Sequence, residues 1–261
     1  MILATDGDFN VGASSDRAME DLIVEKRESG VFLTCLGFGN GNYQDAKMET
    51  LADKGNGNHA YIDTMQEAQR ILDTEFGGTL YTIAKDVKIQ VEFNPAKVQA
   101  YRLIGYENRL LNAEDFNDDK KDAGELGSGH SVTALYEIIP VGAESEWLKS
   151  IDDLKYTDKK VKNNSDELLT VKFRYKNPDG DKSKLLTQVV KDANASIEKA
   201  SADLKFSAAL AMFGMQLRES KFAKNITKEN IIQLAESGKG KDKQGYRAEF
   251  IRLVKSESNS L

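Results

Sequence analysis

The sequence predicts a mixed chain in three parts. An α/β segment on a parallel sheet spans residues 1–85, an antiparallel β-sandwich-like region spans 86–192, and helices follow over 200–256. Three observations carry this. Apolar runs at 2–5, 31–38 and 59–62 alternate with segments of helical period, the pattern of a parallel sheet with right-handed helical crossovers. At residue 86 the period drops to two. From about residue 200 it is helical again.

The elements follow in order. Ile2–Thr5 is short and apolar, as a strand covered on both faces should be. Ser14 or Ser15 can cap a helix with Asp16 in its first turn, and Ala18, Met19, Leu22 and Ile23 form its apolar stripe before Gly30 ends it. Val31–Phe38 is a second buried strand, and Gly39-Asn40-Gly41-Asn42 is the loop that leads from it to a helix over 44–54 with Met48, Leu51 and Ala52 on one face. Gly55-Asn56-Gly57 breaks that helix, and His59–Ile62 is the third strand. Thr64-Met65-Gln66-Glu67 is a capping box opening a helix over 65–84, with Ala68, Ile71, Leu72, Phe76, Leu80 and Ile83 at helical spacing.

Val87, Ile89, Val91 and Phe93 alternate with Lys88, Gln90 and Glu92, and Asn94-Pro95 stops the strand. Further strands are expected at 98–106, 132–139, 169–175 and 184–190, the last two joined by the turn Asn177-Pro178-Asp179-Gly180. The long loops are 107–130 and 142–167. Phe206, Ala209, Leu210, Phe213 and Leu217 line one helix. A second runs over 228–237 after the Thr227 cap, and Gly238-Lys239-Gly240-Lys241 is a loop. A third, over 243–256, carries Tyr246, Phe250, Leu253 and Val254 inward.

Composition narrows the function classes. A chain of 261 residues with 30% charged and 40% hydrophobic residues is an ordinary globular chain of about two domains. Net charge is −6, and no Lys/Arg cluster has aromatics interleaved, which argues against nucleic acid as partner. Cys35 is the one cysteine, so an internal disulfide is excluded. No apolar run approaches the ~20 residues of a membrane span. The start, Met1-Ile-Leu-Ala-Thr-Asp, is too short and too acidic for a signal peptide.

Thr5-Asp6-Gly7, between an apolar strand and a helix, resembles the strand–TDG–helix unit of a von Willebrand factor type A domain. Gly30-Val31-Phe32-Leu33-Thr34-Cys35-Leu36-Gly37-Phe38-Gly39 is similar to the next strand and glycine loop of such domains. Leu51–Ile62, with its Gly55-Asn56-Gly57, resembles the segment after it. Thr82–Pro95, Arg102–Arg109 and Gly129–Ile138 look like one bacterial subfamily, the YfbK-type proteins, in which a von Willebrand A domain precedes a C-terminal domain of unknown function. The resemblance covers essentially the whole chain. It implies that 1–85 is the C-terminal half of a von Willebrand A (Rossmann-like) sheet and that 86–261 is the YfbK-type C-terminal domain. It also implies that Asp6 is one carboxylate of a metal-ion-dependent adhesion site, holding Mg²⁺, or else Mn²⁺ or Ca²⁺.

In the family an Asp-x-Ser-x-Ser loop and a later Thr complete that site, and neither is found here in the right order. The chain is therefore expected to be the C-terminal portion of such a protein, starting at the fourth of six strands, with a site that is incomplete. With no neighbour on its open side, the strand 2–5 is expected to pair with a second copy.

Other motifs weigh less. Asp6-x-Asp8-x-Asn10 begins like a calcium loop but has Val11 and Arg17 where Gly and Glu are needed. Asp115-x-Asn117-x-Asp119 fails in the same way at Lys120 and Leu126, so 114–125 reads as a solvated connection. Gly37–Asn42 lacks the Gly-Lys-Ser/Thr ending of a phosphate loop. His59 and His130 lack ligand-spaced neighbours and read as structural. Cys35 reads as an inert core thiol, and Asp118 and Asp119 sit in a Lys-rich loop that does not raise a carboxylate pKa. The expectation is a non-enzymatic, adhesion-type module that binds a protein partner through a metal. The alternative is a structural or assembly protein of the bacterial cell envelope, the localisation the resemblance suggests, acting through its C-terminal domain without metal.

Overall fold

In a computed structural model of the chain, β1 (Ile2–Thr5), β2 (Thr34–Gly37) and β3 (His59–Tyr61) form a parallel sheet in the order β1-β2-β3. The structure describes residues 1–8, 15–39, 41, 43–121, 123–148, 166–193 and 195–257. The possible caps and loop residues at Ser14, Asn40 and Asn42, and the calcium-loop position Asn10, lie outside the described residues, as does most of the predicted loop 142–167.

Every residue of β2 is buried because a strand lies on each side of it. The helices α1 (Asp16–Glu28) and α2 (Asp45–Lys54) supply the rest of that core. Ser15 caps α1 by accepting from the Ala18 amide at 3.3 Å. Met19, Ile23, Leu33, Cys35, Met48, Leu51 and Ala52 pack together, with Leu3 and Tyr43 against them. Burial in this core pushes the Cys35 thiol up to about 11, consistent with an inert core thiol. Of the predicted α1 stripe, Ala18 and Leu22 are exposed, so the buried face is narrower than the spacing suggested. β1 also differs from its expectation. Only Leu3 meets the core, while Ile2 and Ala4 are exposed, because β1 is the edge of this sheet among the described residues.

The predicted continuous helix over 65–84 is broken. It consists of α3 (Met65–Gln69), a wide π turn at Arg70–Thr74 and α4 (Phe76–Leu80). Thr64 accepts from the Glu67 amide at 3.1 Å, and the Glu67 carboxylate engages Arg70. Arg70 also reaches Glu75 at 2.7 Å, and these carboxylates raise its pKa. Gly77-Gly78 then weakens the helix, and Ile83 belongs to β4 (Thr82–Phe93), which starts four residues before the predicted change of period.

β6 (Gly124–Gly127), with its Gly-Glu-Leu-Gly sequence, lies inside the predicted loop 107–130 and pairs antiparallel with β4. Tertiary pairing here overrides a composition with low strand propensity. Together with β8 (Glu167–Lys176) and β9 (Lys184–Lys191) they make a four-stranded sheet in the order β6-β4-β8-β9. Asp86 has a φ of 52°, and the register against β6 shifts between Ala84 and Val87, so β4 carries a bulge there. A separate antiparallel pair joins β5 (Val98–Ile104) to β7 (Leu135–Pro140).

The chain divides into two compact units, Met1–Gln90, Leu111–Ser131 and Val171–Gln188 in one, Val91–Leu110, Val132–Thr170 and Val189–Leu261 in the other. β4, β8 and β9 contribute residues to both. In the second unit, α5 (Ala202–Leu217), α6 (Lys228–Ser237) and α7 (Tyr246–Ser256) bury Ala209, Ile231, Ala235, Ile251 and Val254. Phe206 and Phe213 meet Phe250 edge-on, with ring centres 5.3 and 5.6 Å away. Leu210, Leu217 and Leu253, predicted to face inward, are exposed. The contact face runs through Ala209, Met212 and Phe213 on α5 and through Phe250, Ile251 and Val254 on α7, a small rotation from the predicted stripes. In the same unit the Arg102 guanidinium lies 3.8 Å from the Phe222 ring centre, and Trp147 packs tilted against that ring with centres 4.6 Å apart. Among the described residues no helix is long and apolar enough to cross a membrane.

Candidate functional site

Asp6 stands at the carboxyl end of β1, where strand gives way to loop, and its side chain is exposed. The turn is self-organised. The Thr5 hydroxyl accepts from the Gly7 amide at 3.1 Å, and Asp6 Oδ1 accepts from the Asp8 amide at 3.1 Å. Asp6 Oδ2 accepts no hydrogen bond from the described residues. Gly7 requires its glycine twice over. Its φ is 85°, and a Cβ would lie 2.9 Å from Gln44 Cβ. The Gln44 amide donates to the Asp6 carbonyl at 3.3 Å, and Gly39, after β2, approaches so closely that its Cβ would lie 3.7 Å from that of Asp6. The loops after β1 and β2 therefore converge, the position at which open parallel sheets place ligands.

An aromatic cluster not foreseen from the sequence joins Tyr43, in the loop after β2, to His59 and Tyr61 at the two ends of β3. Tyr43 and His59 Nε2 share a hydrogen bond of 2.6 Å, with Asp45 3.7 Å from that nitrogen. The Tyr61 ring packs tilted against Tyr43 with centres 4.7 Å apart, and its hydroxyl donates to the Gly39 carbonyl at 2.6 Å. Burial first, then Asp45, pushes the Tyr43 hydroxyl up to about 12, so it stays protonated near neutrality. The only hint in the sequence is an aromatic residue shortly after each glycine-rich turn. His59 is thus a packed, hydrogen-bonded residue, as expected. His130, also read as structural, is exposed in the turn after β6.

A divalent cation does not fit these residues by themselves. Among the described residues, no three His, Cys, Asp or Glu side chains come together as a metal cage, and Asp6 has only the Thr5 hydroxyl and Asp8 beside it. The acidic connection 114–125 is occupied otherwise. Lys88, 4% exposed, donates from Nζ to the Asp115 carbonyl at 3.1 Å and to the Asp118 carbonyl. Lys176 donates to the Asp86 carboxylate and the Asp119 carbonyl, both at 2.7 Å. Asp119 accepts from Ser183 and from Arg174, the latter at 2.8 Å, and these donors hold its carboxyl down to about 2. Lysine ammonium groups bind this loop's carbonyl oxygens, and the lowered Asp119 carboxyl is unsuited to acid–base work near neutrality.

Residues 78–260 match the family described as "Uncharacterized protein YfbK, C-terminal". Over 257 residues the chain is 46% identical to "Uncharacterized protein YfbK" of Escherichia coli (strain K12), an alignment covering 97% of this chain and 44% of that relative. The chain thus spans less than half the length of the curated relative it matches. Among solved structures it is similar to "von Willebrand factor type A from Catenulispora acidiphila". The TM-score is 0.36 and the identity 12%, over 97% of this chain and 57% of that one.

Proposed function

We propose, from the premise that this chain belongs to the YfbK family, that it is part of a non-enzymatic protein-binding module. The observation that carries the reading is the Thr5-Asp6-Gly7 turn, which offers an exposed carboxylate where the loops after two parallel strands converge. In the finer form of the proposal, Asp6 contributes one carboxylate to Mg²⁺, or to Mn²⁺ or Ca²⁺, and the remaining ligands come from outside the described residues. The test is capture of protein partners by the intact protein in Mg²⁺ and in chelator. Capture that Asp6→Ala abolishes, with unfolding unchanged, supports the reading. Capture indifferent to both chelator and substitution sinks its metal part. For this chain alone, calorimetric titration with MgCl₂ or MnCl₂ is expected to show no saturable heat, because a single exposed carboxylate competes poorly with the hydration of a hard cation.

One observation favours the second reading, a metal-independent assembly role. Among the described residues β9 is the end strand of its sheet, and Leu185, Leu186, Val189 and Val190 are all exposed on it. An apolar edge strand is a surface for pairing with another chain.

The edge at β1 supports a homodimer. The Thr34 amide donates to the Met1 carbonyl and the Phe38 amide to the Thr5 carbonyl, so odd-numbered residues face β2 and the amides of Ile2 and Ala4 point outward. Sedimentation at high micromolar concentration is expected to show dimer for the native chain and monomer for Ala4→Pro, which removes an outward donor and leaves the bonds to β2 in place. A native chain that sediments as monomer would rule the dimer out.

A further inference from the structure

Three helix ends meet around the turn 238–245. α6 ends at Ser237, and Gly238 lies so close to the start of α5 that a Cβ there would be 2.6 Å from the Phe206 nitrogen and 2.8 Å from the Ala202 carbonyl. The chain then bends through Gly240, Asp242 and Gly245, all in the left-handed region, and enters α7 at Tyr246. This turn borders a cavity of about 450 Å³ whose charged lining is Lys239, Lys241, Lys243, Arg247, Asp203 and Asp242. That volume falls within the range of small-molecule sites, about 300–1,000 Å³.

Some of the lining groups are already held in place. Arg247 donates from Nη1 to the Gly238 carbonyl at 2.7 Å and from Nη2 to Asp203, and its guanidinium lies 5.0 Å from the Phe206 ring centre. The Asp242 carboxylate accepts from the Arg247 amide at 3.1 Å and the Ala248 amide at 2.8 Å, capping α7. Ser201 caps α5 by accepting from the Leu204 amide at 3.1 Å. The three lysines differ from these. The side chains of Lys239, Lys241 and Lys243 are exposed and make no ion pair or hydrogen bond with the described residues. Elsewhere in this unit Arg102 pairs with Glu137, Arg218 with Glu107 and Lys255 with Glu236. Four cations against two carboxylates leave an excess of two positive charges at the cavity, in a chain whose net charge is −6. Three neighbouring ammonium groups repel one another, and a multivalent anion between them reverses that term.

We propose that this cavity binds a small phosphate-bearing ligand, with Lys239, Lys241 and Lys243 neutralising the phosphoryl charge and Arg247 as the fixed donor beside them. An excess of two matches a dianionic phosphoryl group better than a single carboxylate. The volume leaves room for more than one phosphoryl group or for an attached small moiety.

The experiment is isothermal titration of the chain with pyrophosphate at low salt, with sulfate in parallel. Saturable one-to-one binding of pyrophosphate is expected, together with a rise in Tm. Affinity should fall about tenfold or more in the triple variant K239Q/K241Q/K243Q, since each lost cation weakens a partly screened contact. All three lysines are exposed, so the unliganded variant should keep the native Tm. Absence of saturable heat overturns the proposal, as does unchanged affinity in the triple variant. Sulfate binding as tightly as pyrophosphate overturns the assignment to phosphate.

Discussion

Gly57→Ala should destabilise the parallel-sheet unit by about 3 kcal/mol or more, seen as a lower urea midpoint and loss of near-ultraviolet ellipticity. A Cβ at residue 57 would lie 1.8 Å from the Leu33 carbonyl oxygen, 2.2 Å from its carbon and 2.8 Å from the Thr34 nitrogen. All three are backbone atoms, so no side-chain rotation relieves the clash. The surroundings are also pinned. The Gly57 amide donates to the Ala52 carbonyl at 3.0 Å, Leu33 donates to the Gly55 carbonyl at 2.9 Å, and Cys35 donates to the Asn58 carbonyl at 2.8 Å. The methyl group fits only if the start of β2 separates from the segment entering β3. Gly77→Ala is the control. It has open space around its Cβ position and lies in α4, so it should be neutral or stabilise by up to about 1 kcal/mol. Equal stability of Gly57→Ala and the native chain would show that the two segments do not approach as closely as described.

Lys176→Met is expected to cost about 3 kcal/mol, because it leaves the Asp86 carboxylate, 15% exposed, without its cation. It also removes the donor to the Asp119 carbonyl and so loosens the acidic connection around Asp119. Asp86→Asn in the Lys176→Met background should recover much of the loss. It removes the stranded charge, and asparagine tolerates the left-handed backbone at this position. A double variant no more stable than Lys176→Met would mean that the ion pair is not what holds this region.

The same cluster sets two limits on pH. The pKa of Asp119 is lowered in the folded state by the Ser183 and Arg174 donors, so its contribution is present above the ordinary carboxylate range and is lost as pH falls toward about 2. The pKa of Lys176 is raised, chiefly by Asp86, so its contribution is complete below the ordinary lysine range and is lost as pH climbs through the raised value. Thermal melts across pH should show the acid loss diminished in Asp119→Asn and the alkaline loss diminished in Lys176→Met.

Membership of the YfbK family was legible in the chain, since Thr82–Pro95 and Gly129–Ile138 carry long stretches similar to it, and the match over 78–260 and the 46% identity to the Escherichia coli relative show the same family. The parallel sheet within residues 1–62 was legible too. Apolar strands alternating with capped helices leave few ways to bury both, and local signals such as Ser15 before Asp16 and Thr227 before α6 act within one turn of chain. Asp6 could be placed at a strand end for the same reason.

Several features depended on contacts remote in sequence. β6 has no strand-like sequence and exists because β4 supplies its hydrogen-bonding partners. The helix expected over 65–84 widens to a π turn at Arg70–Thr74 and stops at Leu80, where the following residues pair across a sheet. Leu210, Leu217 and Leu253 turn outward because the angles at which α5, α6 and α7 meet, absent from any single helix's periodicity, select which stripe is buried. The joining of Tyr43, His59 and Tyr61, and the two buried lysines holding an acidic loop by its carbonyl oxygens, follow the same rule. Sequence alone determined what is local: period, caps, turn residues and family. The tertiary structure decided which surfaces meet, because burial and hydrogen-bond satisfaction are properties of the assembled elements rather than of any one of them.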